Sequence, residues 1–243
     1  MTIKERFFQI DEQWCTIHLP ERPNGFAILV IGDTNHFVNE KTSFWIQHAG
    51  RSQLIEELRE YGYTIFYSNL YGRHWGSPKA ARLAKQLIYY VLKSEILNKR
   101  IYLLAEGMGA LAALRLMDTM SDQIRAVAML NPCLDLQAQV AYEQENKFFY
   151  KRMIKEIASA YEVKDKNVSP VLWSLSTKQK CLPVKIWQMS GVNHYPSSLH
   201  CRKYEELRKT LGCPIKVIYH LPEKRYEVSH AIHKFYQENN DLL

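Results

Sequence analysis

The chain has 243 residues, a length that suits one α/β domain or two small ones. Its apolar content of 47% is enough for a sizeable core, and its net charge of +7 comes from 32 Lys and Arg against 25 Asp and Glu. The basic residues are scattered in twos and threes, and no RNP-type motif, zinc-finger spacing or basic helix accompanies them. We therefore expect no nucleic-acid partner.

The five cysteines, Cys15, Cys133, Cys181, Cys201 and Cys213, lie far apart, and no two of them form a Cys-x-x-Cys pair. Their number is odd, and residues 1–6 lack the apolar stretch of a signal peptide. No apolar run approaches the roughly 20 residues that a membrane helix needs. We therefore expect a cytoplasmic protein with reduced thiols and no membrane association.

Short apolar runs alternate with amphipathic segments along most of the chain. Residues 26–31 are apolar on both faces, as in a parallel sheet that is covered on both sides. Strands are expected at residues 7–10, 14–18, 26–31, 63–67, 101–104, 126–130, 184–189 and 215–219. Helices are expected at 52–61, over the stripe from Leu83 to Leu92, after Gly109, at 198–211 and at 226–237. This alternation predicts an α/β fold, a doubly wound and mostly parallel sheet with helices on both faces.

Residues 135–180 break the alternation, because they are polar and aromatic with helical segments near 137–160. We interpret them as a small helical cap inserted into an α/β core domain of residues 1–134 and 181–243. The aromatic side chains of the cap could pack on the sheet and also line a pocket for an apolar acyl group. They are Tyr142, Phe148, Phe149, Tyr150, Tyr161 and Trp173.

Residues 100–117 form a strand, a glycine-rich turn and a helix that begins with small residues. This is the layout of a nucleophile elbow, in which helix and strand backbones pass very close to each other. The elbow pattern Gly-x-Ser-x-Gly is replaced by Ala-Glu-Gly-Met-Gly at residues 105–109. The position expected to carry the nucleophile is therefore Gly107, which has no side chain.

The order of these features resembles the α/β-hydrolase superfamily over nearly the whole chain. The chain begins with a hairpin and a strand that ends in an oxyanion-type loop at Asp33 and Thr34. The elbow, a cap and two late strands follow. The resemblance implies a nucleophile at the elbow, a histidine base in the loop after the last strand, and an acid after the strand before it.

All three of these positions look substituted. Gly107 replaces the nucleophile, residues 191–194 read Gly-Val-Asn-His without a carboxylate, and residues 221–225 contain no histidine. Glycine also relaxes the backbone strain of an elbow, which costs about 1–3 kcal/mol for a residue with a Cβ. The shape of the elbow could thus be retained without its chemistry.

The remaining catalytic candidates are Glu106, His194 and His220. Glu106 could act as a general base on water, or it could pack behind the elbow. His194 and His220 could form a remodelled acid–base pair, or they could be surface histidines. Cys133 follows a strand at the expected crevice, where a nucleophile and a buried small side chain are both compatible with the sequence.

Backbone amides near Met108 and the loop at residues 33–35 could bind a carbonyl or carboxylate without attacking it. We therefore assign Asp33, Thr34, Gly107 and Met108 as candidate ligand-binding residues. His230 and His233 lie three residues apart but have no third ligand nearby in the sequence, so no metal site is expected. No cofactor is expected.

Three functions remain open. The first is a protein that has lost its triad and binds a small acyl or carboxylate ligand or a partner protein. The second is an esterase or thioesterase that uses an unusual constellation around Glu106, His194 or His220. The third is a structural or regulatory interaction protein with a vestigial crevice.

Overall fold

A computed structural model describes residues 4–145, 147–175, 180–191, 194–221 and 227–240. Within these ranges, eight strands form one sheet in the order β1-β2-β4-β3-β5-β6-β7-β8. The first two pairs in this order are antiparallel and the other neighbours are parallel. The strands are β1 Glu5–Ile10, β2 Gln13–His18, β3 Ala27–Ile31, β4 Thr64–Ser68, β5 Ile101–Glu106, β6 Ile124–Leu130, β7 Val184–Met189 and β8 Ile215–His220.

Helices connect most of these strands. Ser77 caps the longest one, where its Oγ accepts a hydrogen bond from the Ala80 amide at 3.3 Å and Pro78 fills the first turn. The helices are α1 Phe44–Gln47, α2 Ala49–Glu60, α3 Pro78–Ser94, α4 Gly109–Thr119, α5 Leu136–Glu143, α6 Lys147–Ala160, α7 Cys201–Thr210 and α8 Val228–Glu238. Short 3-10 turns lie at Ser121–Gln123, Asp165–Asn167 and Ser169–Val171.

The sheet is covered by helices on both faces. Successive residues of β5 point in opposite directions, so Leu103 enters one buried cluster and Leu104 enters another. The first cluster contains the inner side chains of α3 and α4, and the second contains those of α2 and α8. The expected doubly wound, mostly parallel α/β fold is confirmed.

Helices α5 and α6 pack on the loops that follow the carboxyl ends of the strands. Their side chains Val140 and Met153 share a third buried cluster with Met108, Cys133 and Tyr195. Met108 follows β5, Cys133 follows β6 and Tyr195 follows β7, so this cluster holds the two helices at the carboxyl edge of the sheet.

The expectation of reduced thiols is wrong for one pair of cysteines. Cys181 and Cys213 form a disulfide, with their Cα atoms 4.8 Å apart. They are 32 residues apart in sequence, but each lies just before one of the neighbouring parallel strands β7 and β8. Parallel neighbours begin at the same edge of a sheet, which brings the two thiols together. Cys15, Cys133 and Cys201 are free and buried.

Element boundaries differ from expectation by a few residues. The short helix α1 was not expected. The start expected for the last helix, residue 226, lies outside the described residues, and the described helix runs over Val228–Glu238. Among the helices that the structure describes, none is long and apolar enough to cross a bilayer.

Candidate functional site

Gly107 forms the tight turn between β5 and α4. Its φ is +52°, a conformation that glycine adopts without the steric cost of a side chain. Two residues later, a Cβ on Gly109 would collide with the backbone of Ile31 and Gly32. The expectation that small residues let the helix pass close to the sheet is confirmed at this position.

Asp33, in the loop after β3, projects over this turn. Its Oδ1 accepts one hydrogen bond from the Met108 amide at 2.9 Å and a second from the Tyr195 hydroxyl at 2.7 Å. Its carboxyl group occupies the volume that a Cβ on Gly107 would need. The amide that the sequence suggested as a donor to a ligand therefore already binds a carboxylate of the same chain.

The groups around Asp33 are held in their uncharged forms. Burial, and then the nearby carboxylate of Asp33, raise the pKa of Tyr195 well above its usual value, so its hydroxyl stays a donor. The same two causes raise the pKa of the fully buried Cys133 thiol. Since the thiolate is the nucleophilic form, Cys133 is interpreted as a packing residue.

A cavity of about 320 Å³ lies between Asp33 and helix α6. Its size is at the lower end of the roughly 300–1,000 Å³ that is typical of small-molecule pockets. Aromatic, aliphatic and charged side chains contribute to its wall. The lining residues are Asp33, Thr34, Asn35, Arg73, Trp75, Glu143, Phe149, Arg152, Met153, Glu156 and His194.

Glu156 of α6 organises one wall of this cavity. Its carboxylate accepts hydrogen bonds from the Arg152 Nε at 2.9 Å, from the Trp75 indole N–H at 3.0 Å and from the Arg73 guanidinium. The two guanidinium groups thus share one anionic partner. This network connects α6 to the loop that follows β4.

Glu143 of α5 occupies another wall and is supported from behind. The side-chain amide of Gln139 donates to its Oε1 at 3.0 Å, and the Nε2 of His200 donates to Gln139 at 2.9 Å. The other ring nitrogen of His200 accepts from the Leu134 amide, and burial lowers the pKa of His200 to about 4. His194 lies at the cavity with its Nδ1 3.9 Å from Glu143.

Glu106 lies in a different place. It is buried and forms an ion pair with Arg51 of α2, whose Nε donates to Oε2 at 3.3 Å. It shares a small cavity of about 90 Å³ with His220. The structure therefore separates His194 from both Glu106 and His220, although all three side chains were candidates for one constellation.

The loops expected to supply the acid and the base are described only in part, because residues 192–193 and 222–225 lie outside the described residues. Sequence reasoning missed Tyr195, Glu143 and Arg51. Only Tyr195 had a local signal, because it follows His194 directly in the loop after β7. Glu143 and Arg51 lie on helices, where nothing in the residue spacing distinguishes them.

Comparison with known proteins reveals a likeness in structure alone. Neither a protein-family model nor a curated protein sequence matches this chain. An α/β hydrolase enzyme from a sediment metagenome of the Mar Chica lagoon in Morocco aligns with a TM-score of 0.60 at 15% identity, covering 97% of this chain and 100% of its own.

Two further structures align over similar lengths. Est1E from Butyrivibrio proteoclasticus has a TM-score of 0.63 at 16% identity and covers 97% of this chain and 98% of its own. An esterase from Pyrococcus furiosus has a TM-score of 0.65 at 13% identity and covers 98% of this chain and 91% of its own. The strand order and these alignments agree, and the chain therefore has the α/β-hydrolase fold.

Proposed function

We propose that this chain is a non-catalytic member of the fold with a substituted triad, and that it binds a small molecule in the cavity beside α6. One observation carries the proposal. The carboxyl group of Asp33 fills the space above Gly107 and accepts a hydrogen bond from the Met108 amide.

The electrostatics of that position oppose acyl transfer. A serine-type mechanism needs a nucleophilic side chain at the elbow and free donors for the oxyanion that develops during attack. Gly107 offers no nucleophile, and the Met108 N–H already donates a hydrogen bond to the Asp33 carboxylate. An oxyanion formed there would lie beside the Asp33 carboxylate, which would repel it.

A second reason concerns the other candidates. Glu106 is held by Arg51, which favours a paired carboxylate over a free general base. His194 and His220 line separate cavities, so an acid–base pair between them is not supported. We therefore rank an esterase or thioesterase with a non-standard constellation below the binding function.

The binding function is supported by the cavity. Trp75, Phe149 and Met153 give it apolar surface, and Asp33 and Glu143 give it polar groups. The acyl or carboxylate ligand expected from the sequence stays a prediction, as does a protein partner. A carboxylate that used the Met108 amide would have to displace Asp33.

The test combines turnover and binding. We expect the purified protein to hydrolyse short-chain p-nitrophenyl esters and acyl thioesters no faster than buffer does. The variants Glu106→Gln and His220→Ala should behave in the same way. Turnover well above buffer that is lost in either variant would overturn the proposal and reveal a rebuilt mechanism.

Binding is measured by thermal shift with a library of small amphiphilic molecules. Asn35 is exposed and lines the cavity, so Asn35→Trp places a large ring there from a surface position. We expect some compounds to stabilise the wild type, and this variant to lose that stabilisation. Stabilisation that survives in Asn35→Trp would mean that the compounds bind elsewhere.

A further inference from the structure

The two kinds of charge around the cavity differ in how they are compensated. From this difference we infer that the cavity binds an organic cation, namely an ammonium group carried on an apolar body. The inference rests on the proposed binding function and names the chemical class of its ligand.

The cationic side chains of the wall already have an anionic partner. Arg73 and Arg152 both bind the carboxylate of Glu156, which also accepts the Trp75 N–H. Arg152 is also 48% exposed at its side chain, so water and salt screen its charge. Because two guanidinium groups share this one carboxylate, this wall keeps a formal charge of only +1.

The carboxylates of Asp33 and Glu143 are compensated differently. Asp33 is bound by an amide N–H and a phenolic O–H, and both of these donors are neutral. Glu143 accepts from the neutral amide of Gln139. Among the described residues, neither carboxylate has a lysine or arginine within 4.0 Å, and the closest basic group is His194, 3.9 Å from Glu143.

Burial strengthens this asymmetry. The side chain of Glu143 is 10% exposed, whereas the side chain of His194 is 54% exposed. A charge that is removed from water is screened less and acts more strongly on a ligand in the same cavity. The lining as a whole has three carboxylates against two guanidinium groups, which gives a formal charge of −1 when His194 is counted as neutral.

The apolar part of the wall suits the same ligand. Trp75 and Phe149 are aromatic, and the faces of such rings attract cations. Met153 adds a flexible apolar surface that adapts to the shape of a ligand. An ammonium group near the carboxylates, with its hydrocarbon part against these side chains, would match both features.

The experiment uses three probes of one shape, 4-phenylbutylamine, 4-phenylbutanol and 4-phenylbutyrate. Their affinities are measured by isothermal titration calorimetry at pH 7 and low salt. We expect the amine to bind about fivefold or more tightly than the alcohol, the factor typical of one partly exposed ion pair or cation–π contact. The butyrate should bind most weakly, and added salt should reduce the preference for the amine.

Two variants remove each negative charge while keeping the size of the side chain, Asp33→Asn and Glu143→Gln. Each should lower the ratio of amine to alcohol affinity to about twofold or less. Asp122→Asn is the matched control, because Asp122 is exposed and lies in the turn before β6, away from the cavity. Circular dichroism checks that every variant is folded. If Asp33→Asn does not fold, the affinity ratio in Glu143→Gln alone tests the inference.

The outcomes separate this inference from the function on which it rests. Binding of the alcohol or the butyrate at least as tightly as the amine would overturn the inference and leave the binding function standing. A preference for the amine that persists in both variants would also overturn it. If none of the three probes binds, the inference fails, and the thermal-shift experiment with Asn35→Trp decides the binding function separately.

Discussion

Asp33 and Gly107 share one volume: the carboxyl group of Asp33 lies where a side chain on Gly107 would begin, and it also accepts the amide of the next residue, Met108. The two residues belong to loops that follow the adjacent parallel strands β3 and β5. The lack of a side chain at one position is thus matched by a polar group supplied from the other. This complementarity explains why the elbow can remain folded around a glycine.

The first prediction concerns Gly107→Ala. A Cβ here would be strained by the positive φ, at about 1–3 kcal/mol, and would displace Asp33, at a further cost of about 1–3 kcal/mol. We expect the free energy of unfolding, measured in urea, to fall by about 2 kcal/mol or more. Adding Asp33→Gly should restore part of this loss.

Gly72→Ala is the control for this experiment. Gly72 also has a positive φ, +74°, but a Cβ there would have no atom within 4 Å. The variant therefore reports the backbone strain without the collision. If Gly107→Ala is no more destabilising than Gly72→Ala, Asp33 does not occupy the space as described.

The second prediction concerns the ion pair of Arg51 and Glu106. Both side chains are largely buried, at 15% and 8% exposure, so removal of one partner leaves a charge without compensation. We expect Arg51→Met to lower the free energy of unfolding by about 3 kcal/mol or more. The double variant Arg51→Met with Glu106→Gln should recover part of it, because no unpaired charge remains.

An exposed pair provides the comparison. Lys209 and Glu205 form an ion pair on the surface of α7, with the lysine side chain 64% exposed. Lys209→Met should cost less than about 1 kcal/mol. Equal losses of unfolding free energy in Lys209→Met and Arg51→Met would contradict the assignment of Arg51 and Glu106 as a buried pair.

The third prediction concerns the disulfide of Cys181 and Cys213. Thiol titration in denaturant without reductant should detect three free cysteines, and five after reduction. Cys213→Ser should show four and should be destabilised by about 3.7 kcal/mol, the entropic value for a loop closed over 32 residues. Five reactive thiols in the protein purified without reductant would contradict the disulfide and agree with the reduced thiols expected from the sequence.

The fourth prediction is a loss of stability in mild acid. Burial lowers the pKa of His36 and His200 to about 4 and that of His74 to about 3, from an ordinary value of 6.5. Between these values the unfolded chain binds protons that the folded chain does not. The stabilisation is therefore complete above pH 6.5 and is lost as the pH falls toward 4.

Urea unfolding between pH 5.0 and 7.0 measures this dependence. Each buried histidine should contribute about one proton to the slope at the lower end of this range. His200→Gln should reduce the slope by about one proton, whatever its effect on stability at pH 7. A flat profile across this interval would contradict neutral, buried histidines.

Much of the fold could be predicted because its signals are local. A strand such as β3, apolar on both faces, belongs in the interior of a parallel sheet, and the apolar stripe from Leu83 to Leu92 predicts the buried face of α3. Gly107 and Gly109 marked the close passage of α4 along the sheet. The assignment of residues 135–180 as a separate cap stays a prediction.

The candidate site was predicted less completely. Asp33 and Met108 were named as ligand-binding residues, but their hydrogen bond to each other depends on the pairing of β3 with β5. For Glu106, a general base on water and a residue packed behind the elbow were both compatible with the sequence, and the packing of α2 places Arg51 against it. The partners of both carboxylates come from segments that are 55 to 162 residues distant in sequence.

Local residue patterns established the class of fold and the lack of a side chain at Gly107, because periodicity and turn residues are properties of short segments. The group that fills the space above Gly107, the pairing of the cysteines and the pairing of charges around the cavity became visible only in three dimensions. Those outcomes depend on which carboxyl ends, strand starts and helix faces meet. Contacts of this kind join residues that are far apart along the chain, and their spacing in the sequence does not indicate that they are close in space.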